Sequence, residues 1–373
     1  MLTFILILAA VVLAYANGSN DNFKVVATLY GSGTMDYRTA LGVATGAQIA
    51  GSLASIALAG TLLTAFSGKG LVPAEVLSDP VFLTSVAFGA AAAVLLATRL
   101  GLPVSTTHAL IGALVGAGVV LEGTVAWGTL GAVFFLPLLV SPLLAFGAAA
   151  TLYPTAHETR KWLGIEADTC LCVGTSVAPV AVGADGSIVL RSTGALVQLG
   201  DDARCRAFYP GSIAGVSAQR LVEGAHTISG AALGFARGLN DTPKVMGLLV
   251  AAGSLGMTHR VSLVLISVAM AVGGLLHSAR LADTLGHKIT QLEHGPGLTA
   301  NLVASTLVIG ASLLGSPVST THVSTGAIFG VGAWSGRCSW QWVGGIVSAW
   351  VGTLPIAALI AGINAIGLRL LVS

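Results

Sequence analysis

The chain has 373 residues, 54% of them hydrophobic and only 9% charged, with a mean hydropathy of +0.89. Soluble domains carry about 25% charged residues, so this chain cannot cover a water-facing surface of its own size, and its expected surroundings are a lipid bilayer. The net charge of +2 gives no ground for a nucleic-acid partner.

The first apolar run, Met1–Ala16, lacks a basic segment and a clear cleavage site, so it reads as a retained helix rather than a signal peptide. It leads into NGSNDNFKVVATLYGSG (17–33), which holds Asn17, Asn20, Asp21 and Lys24. Apolar runs follow at Thr39–Phe66, with Gln48 inside it, and at Val81–Ala97. Next comes GLPVSTTHALIGALVGAG (101–118), then the run Val125–Leu152. These runs are continuous, not alternating, which argues for helices and against a barrel.

From Tyr153 to Arg220 the composition changes. This stretch holds six of the 17 basic residues: Arg160, Lys161, Arg191, Arg204, Arg206 and Arg220. Short strand-like runs broken by Gly and Asp predict a small, partly β, soluble insert. The positive-inside rule places it in the cytoplasm and the N-terminus outside. Cys170, Cys172 and Cys205 read either as ordinary reduced thiols or as a metal site, and the first reading is preferred.

The second half repeats the first. RGLNDTPKVMGLLVAAG (237–253) matches 17–33, with Asn240, Asp241 and Lys244 at the places of Asn20, Asp21 and Lys24. Runs at Val261–Leu276 and Leu298–Leu314 follow, then GSPVSTTHVSTGAIFGVG (315–332), then Val343–Leu368. The PVSTTH core is identical in both copies. The offsets, 220 and 214 residues, are similar and the order is the same, so the chain is a duplicated unit. The predicted organisation is a first membrane repeat over 1–152, the insert over 153–220 and a second membrane repeat over 221–373. Duplicated membrane halves joined by an insert are the sequence form of a secondary transporter, whose site lies at the repeat interface on interrupted helices.

Helical spacing places Asn17, Asn20, Asp21, Lys24 and Thr28 on one face, and Arg237, Asn240, Asp241 and Lys244 on its counterpart. Gly18, Gly238 and Pro243 are candidate break points that would free backbone carbonyls. Carboxylates, amides and carbonyls form an oxygen set suited to a small cation, so Asp21 and Asp241 are candidate coupling-ion ligands. Alternatively, each Asp simply pairs with its own Lys. In each PVSTTH copy, three hydroxyls stand beside a helix start: Ser105, Thr106 and Thr107, then Ser319, Thr320 and Thr321. Helix starts with hydroxyls bind anions, and two facing each other would cage a tetrahedral oxyanion. The apolar stretches behind them, Ala109–Leu121 and Val323–Ala333, fall short of the roughly 20 residues of a full span, so they read as re-entrant hairpins. His108 and His322 bond to the site, relay protons or simply pack. Gln48 bonds backbone or reaches the site, and Arg237 attracts an anion or snorkels to the interface. Arg38, Arg260, Arg280, Lys288 and Arg337 read as segment-end charges, and Glu75, Asp79, Asp283 and Glu293 as loop residues.

The paired N-D segments, the paired PVSTTH segments and GGLLHSARLADTLGHKITQL (273–292) together resemble the inorganic phosphate transporter family. The resemblance covers both membrane halves and leaves out the insert. It implies an all-α polytopic inverted-repeat fold with broken helices and two re-entrant hairpins. It also implies symport of phosphate with Na⁺ or H⁺ through alternating access in a bacterial plasma membrane. It places Asn20, Asp21, Asn240 and Asp241 at the substrate and ion sites, and Ser105, Thr106, Thr107, Ser319, Thr320 and Thr321 around the oxyanion. One departure stands out: many members read N-D-x-A-N, and here Lys24 and Lys244 replace the last Asn. An ammonium that takes a coupling-cation position would favour protons or alter anion preference. The expected partners are inorganic phosphate or sulfate and the bilayer, with a homodimer left open. No cofactor is expected, and no metal beyond Na⁺ at Asp21 and Asp241. A sulfate permease and a passive anion channel are the runners-up. An enzyme is disfavoured, because the membrane halves show no nucleophile–base motif and no repeated metal constellation.

Overall fold

In hydrocarbon every backbone N–H and C=O needs an internal partner, so long apolar runs become helices. A computed structural model describes residues 2–166, 169–182, 188–201, 214–251, 258–278, 293–336 and 338–372. Arg204, Cys205, Arg206, Arg280, Asp283, Lys288 and Arg337 lie outside the described residues, as do the side chains of Cys172 and Arg191.

The first half contains α1 (Leu2–Asp21), α2 (Phe23–Gly31), α3 (Tyr37–Leu58), α4 (Pro80–Arg99), α5 (Thr106–Glu122) and α6 (Leu136–Trp162). The second contains α7 (Ala218–Ala251), α8 (His259–His277), α9 (His294–Leu313), α10 (Thr320–Ser335) and α11 (Trp340–Val372). Among the described residues, seven helical stretches are long and apolar enough to cross a membrane, so the chain is a multi-pass membrane protein. Helix α7 has 34 residues but carries Arg237, Asp241 and Lys244. Helices α5 and α10, with 17 and 16 residues, are shorter than a span.

Two compact units emerge. One is Met1–Tyr153 with His226–Ser373, and the other is Pro154–Ala225. The second unit holds strands β1 (Thr169–Val182), β2 (Ile188–Asp201) and β3 (Ala214–Ser217) in the order β2-β1-β3. All pairs are antiparallel, with Thr169 opposite Asp201 and Cys170 opposite Ser217.

Within the membrane unit the two halves interleave. Helix α1 packs on α4 of its own half and on α8 of the other, and α5 packs on α11. One apolar core joins Leu13, Phe82, Leu110 and Ala361, and another joins Phe23, Leu233, Val323 and Phe329.

The structure moves the helix breaks. Only Asn22 separates α1 from α2, its backbone is itself helical (φ −68°, ψ −21°), and Leu2–Gly31 forms one 30-residue span. Pro243 likewise sits inside α7 without ending it. Gly18 and Gly238 are contact points, not break points. A Cβ on Gly18 would fall into the Met270 carbonyl of α8, and one on Gly238 into the Gln48 carbonyl of α3. Small residues let membrane helices approach this closely. The interruptions lie at the other motif: residues 102–105 and 316–319 are non-helical and lead into α5 and α10.

Candidate functional site

Each PVSTTH copy starts a helix by the same local chemistry. Ser105 Oγ accepts from His108 N at 3.1 Å, and Ser319 Oγ accepts from His322 N at 3.2 Å. A serine at the N-cap satisfies one of the four amides a helix start leaves unpaired. These two hydroxyl oxygens therefore serve as caps.

The asparagines of the N-D pairs hold these starts in place. Asn20 Nδ2 donates to Thr98 Oγ1 at 2.8 Å and to the Leu102 carbonyl at 3.1 Å, and its Oδ1 accepts from Val104 N at 3.0 Å. Asn240 Nδ2 donates to the Val318 carbonyl at 3.2 Å, and its Oδ1 accepts from Ser312 Oγ at 3.2 Å. Each asparagine thus grips the non-helical segment of its own half.

The aspartates, lysines and threonines bind across the halves. Asp21 pairs with Lys24 at 2.8 Å and Asp241 with Lys244 at 3.1 Å, all four buried. Thr321, from the second half, donates to Asp21 Oδ1 or to the Val104 carbonyl, each at 2.9 Å. Lys244 donates to Thr107 Oγ1 at 2.8 Å and to the Val318 carbonyl at 2.7 Å. Lys24 donates to Thr320 Oγ1 at 2.6 Å. So the sequence-predicted set from both motifs and both halves meets in one buried cluster.

The carboxylate oxygens facing away from the lysines share donors. Asp21 Oδ2 and Asp241 Oδ2 both accept from Asn17 Nδ2, at 3.1 and 3.3 Å, and Thr320 Oγ1 reaches both, at 3.4 and 3.3 Å. Asn17 Nδ2 also meets Thr106 Oγ1 at 3.1 Å. An amide has two N–H donors and a hydroxyl one. The three neutral donors are therefore shared among five contacts, and the two Oδ2 oxygens rest on the same amide and the same hydroxyl.

Arg237 does not snorkel. It is 2% exposed, with Nη1 donating to Asn22 Oδ1 at 2.9 Å and Nη2 to Asn17 Oδ1 at 3.3 Å. Gln48 bonds Ser52 Oγ at 2.7 Å, and its buried Oε1 has no partner among the described residues. His108 and His322 pack with ring centroids 4.5 Å apart, and His322 stacks on Trp350 at 3.9 Å. The two imidazoles face an apolar cavity of about 630 Å³, whose lining includes neither carboxylate and neither lysine. Asn17, Asn22 and Thr98 complete the cluster. Asn17 shares the helical face of Asp21, and that spacing is the signal for it; nothing local singles out Asn22 or Thr98.

Residues 17–361 match the phosphate transporter family. The chain belongs to the phosphate transporter family. This is a family of transporters, which sets the enzymatic reading aside. The chain is 30% identical to a protein of Pyrococcus abyssi assigned as a phosphate permease, over 97% of this chain and 96% of the relative. It is 28% identical to the chloroplastic inorganic phosphate transporter 2-1 of Arabidopsis thaliana, over 97% of this chain and 71% of the relative. Among solved structures, one titled as the sodium-dependent phosphate transporter shares the fold, with a TM-score of 0.75, 20% identity and 99% of both chains covered. The interlocked N-D and PVSTTH residues lie within the matched region.

Proposed function

We propose that the protein imports inorganic phosphate across a plasma membrane by cation symport through alternating access. The observation that carries this reading is the convergence of both N-D segments and both PVSTTH segments on one buried cluster, with each half supplying groups to the other. Rocking one half against the other would open such a cluster to either side without dismantling its parts. Thr106, Thr107, Thr320 and Thr321 supply hydroxyl donors for the oxyanion, while Ser105, Ser319, Asn20 and Asn240 fix the helix starts that present them. Asp21 and Asp241 hold the coupling cation between their Oδ2 oxygens.

Lys24 and Lys244 balance the opposite side of each carboxylate. Each ammonium takes oxygens that a bare sodium ion would otherwise use: an aspartate oxygen and a threonine hydroxyl, with the Val318 carbonyl added at Lys244. That occupancy favours a proton over Na⁺ as the coupling ion. The deciding experiment is uptake of labelled phosphate and sulfate into proteoliposomes under imposed Na⁺ or proton gradients. Accumulation of phosphate driven by the proton gradient is the expected result. Accumulation of sulfate alone would make the protein a sulfate permease, and equilibration without accumulation would make it a passive channel.

A further inference from the structure

Arg237 heads the fully buried large side chains of the molecule. Its hydrogen-bond partners, Asn22 and Asn17, offer neutral amide oxygens, and Nε has no partner among the described residues. No ion pair joins it to a carboxylate among the described residues, while Asp21 and Asp241 each have an ammonium of their own. The Asn17 side chain, which accepts from Arg237, also donates to both carboxylates, so all five charged groups belong to one network. Two carboxylates thus face three cations. A buried charge without a counter-charge is costly, and a side chain this deeply enclosed cannot reach water by snorkelling. The network has room in its charge balance for an anion.

The guanidinium also has the donors to hold one. Of its five N–H groups, Asn17 and Asn22 take one on each Nη. Nε–H and the second hydrogen of each Nη remain. A planar fork of this kind matches two oxygens of a tetrahedral oxyanion, and charge-assisted bonds of this type are about twice as strong as neutral ones.

We infer that Arg237 is the charge anchor of the transported oxyanion, held in aim by Asn17 and Asn22. The inference rests on the phosphate-transport reading only for which anion is carried. It is tested with the full-length protein in detergent, by thermal unfolding against inorganic phosphate and against sulfate, for wild type, Arg237→Lys and Arg237→Gln. In wild type the transported anion raises the melting temperature. In Arg237→Gln its half-saturating concentration rises about tenfold or more, the scale of a lost charged hydrogen bond, and Arg237→Lys falls between. If Arg237→Gln melts lower without anion yet keeps the wild-type half-saturating concentration, the arginine is merely structural and the inference is overturned. If the Gln variant does not fold, wild type decides the matter through phenylglyoxal modification of Arg237, read by mass spectrometry. Protection by the stabilising anion supports the anchor, and unchanged modification overturns it. Stabilisation by sulfate and not phosphate, lost in Arg237→Gln, keeps the anchor and removes phosphate as the cargo. No response of wild type to either anion overturns both readings.

Discussion

Asp21 and Asp241 stand 220 residues apart in sequence, yet each turns one oxygen to the same two donors, the Asn17 amide and the Thr320 hydroxyl. Their other oxygens face Lys24 and Lys244. The duplicated aspartates therefore form a pair, tied to each other through shared neutral groups, each with a cation of its own.

That arrangement separates a stability role from a transport role. Removing one partner of a buried ion pair costs about 3–5 kcal/mol, because the other charge is left uncompensated. Asp21→Asn alone should thus lower the thermal stability of the purified protein sharply. Asp21→Asn combined with Lys24→Met should regain most of that stability and still fail to accumulate phosphate in proteoliposomes. A double variant with wild-type uptake would show that the Asp21 carboxylate is structural only.

The duplication made this cluster legible in the sequence. A single N-D pair or a single PVSTTH is ambiguous, but two copies of each in register identify the residues that must meet. The local break points were not legible. Gly18 and Gly238 carry the same letters whether a glycine loosens a helix or lets another helix touch it, and only the positions of Met270 and Gln48 decide between these. Arg237 was ambiguous for a related reason: its partners, Asn17 and Asn22, lie 220 and 215 residues away, and neither carries a charge.

The close approach at Gly18 gives a second prediction. In an exposed helix interior, Gly→Ala gains about 1 kcal/mol. Here the added methyl meets backbone of α8, which cannot yield as a flexible side chain would. Gly18→Ala should lower the melting temperature, as should Gly238→Ala against α3. Gly42→Ala, with nothing within 4 Å of its added Cβ, should not lower it. Equal melting temperatures for all three variants would contradict the contact-point role.

The caps give a third. Ser105 and Ser319 each accept from the amide three residues on. Ser→Ala at such a position costs about 1 kcal/mol, and Ser→Gly only a few tenths. In each half the Ala variant should therefore be less stable than the Gly variant. The threonines predict the opposite emphasis: Thr107→Val and Thr321→Val should impair uptake more than they impair folding, because their hydroxyls face the opposite half of the cluster. Melting curves set beside initial uptake rates test both expectations.

The lysines bear on the driving ion. Lys24 Nζ lies 2.8 Å from Asp21 Oδ1 and 2.6 Å from Thr320 Oγ1, so the ammonium holds a carboxylate oxygen and a hydroxyl that an alkali cation would otherwise bind. Lys24→Asn takes away the charge and leaves a short amide, which opens that position to a cation from solution. The expected outcome is uptake that becomes sodium-responsive in the variant and is proton-driven in wild type. Lys24→Met removes the charge without adding an oxygen ligand, so it should gain less sodium response than Lys24→Asn. Uptake rates measured over a sodium series at fixed pH, and over a pH series without sodium, separate the cases. Identical ion dependence in wild type and Lys24→Asn would mean that the lysine only neutralises Asp21 and does not choose the coupling ion.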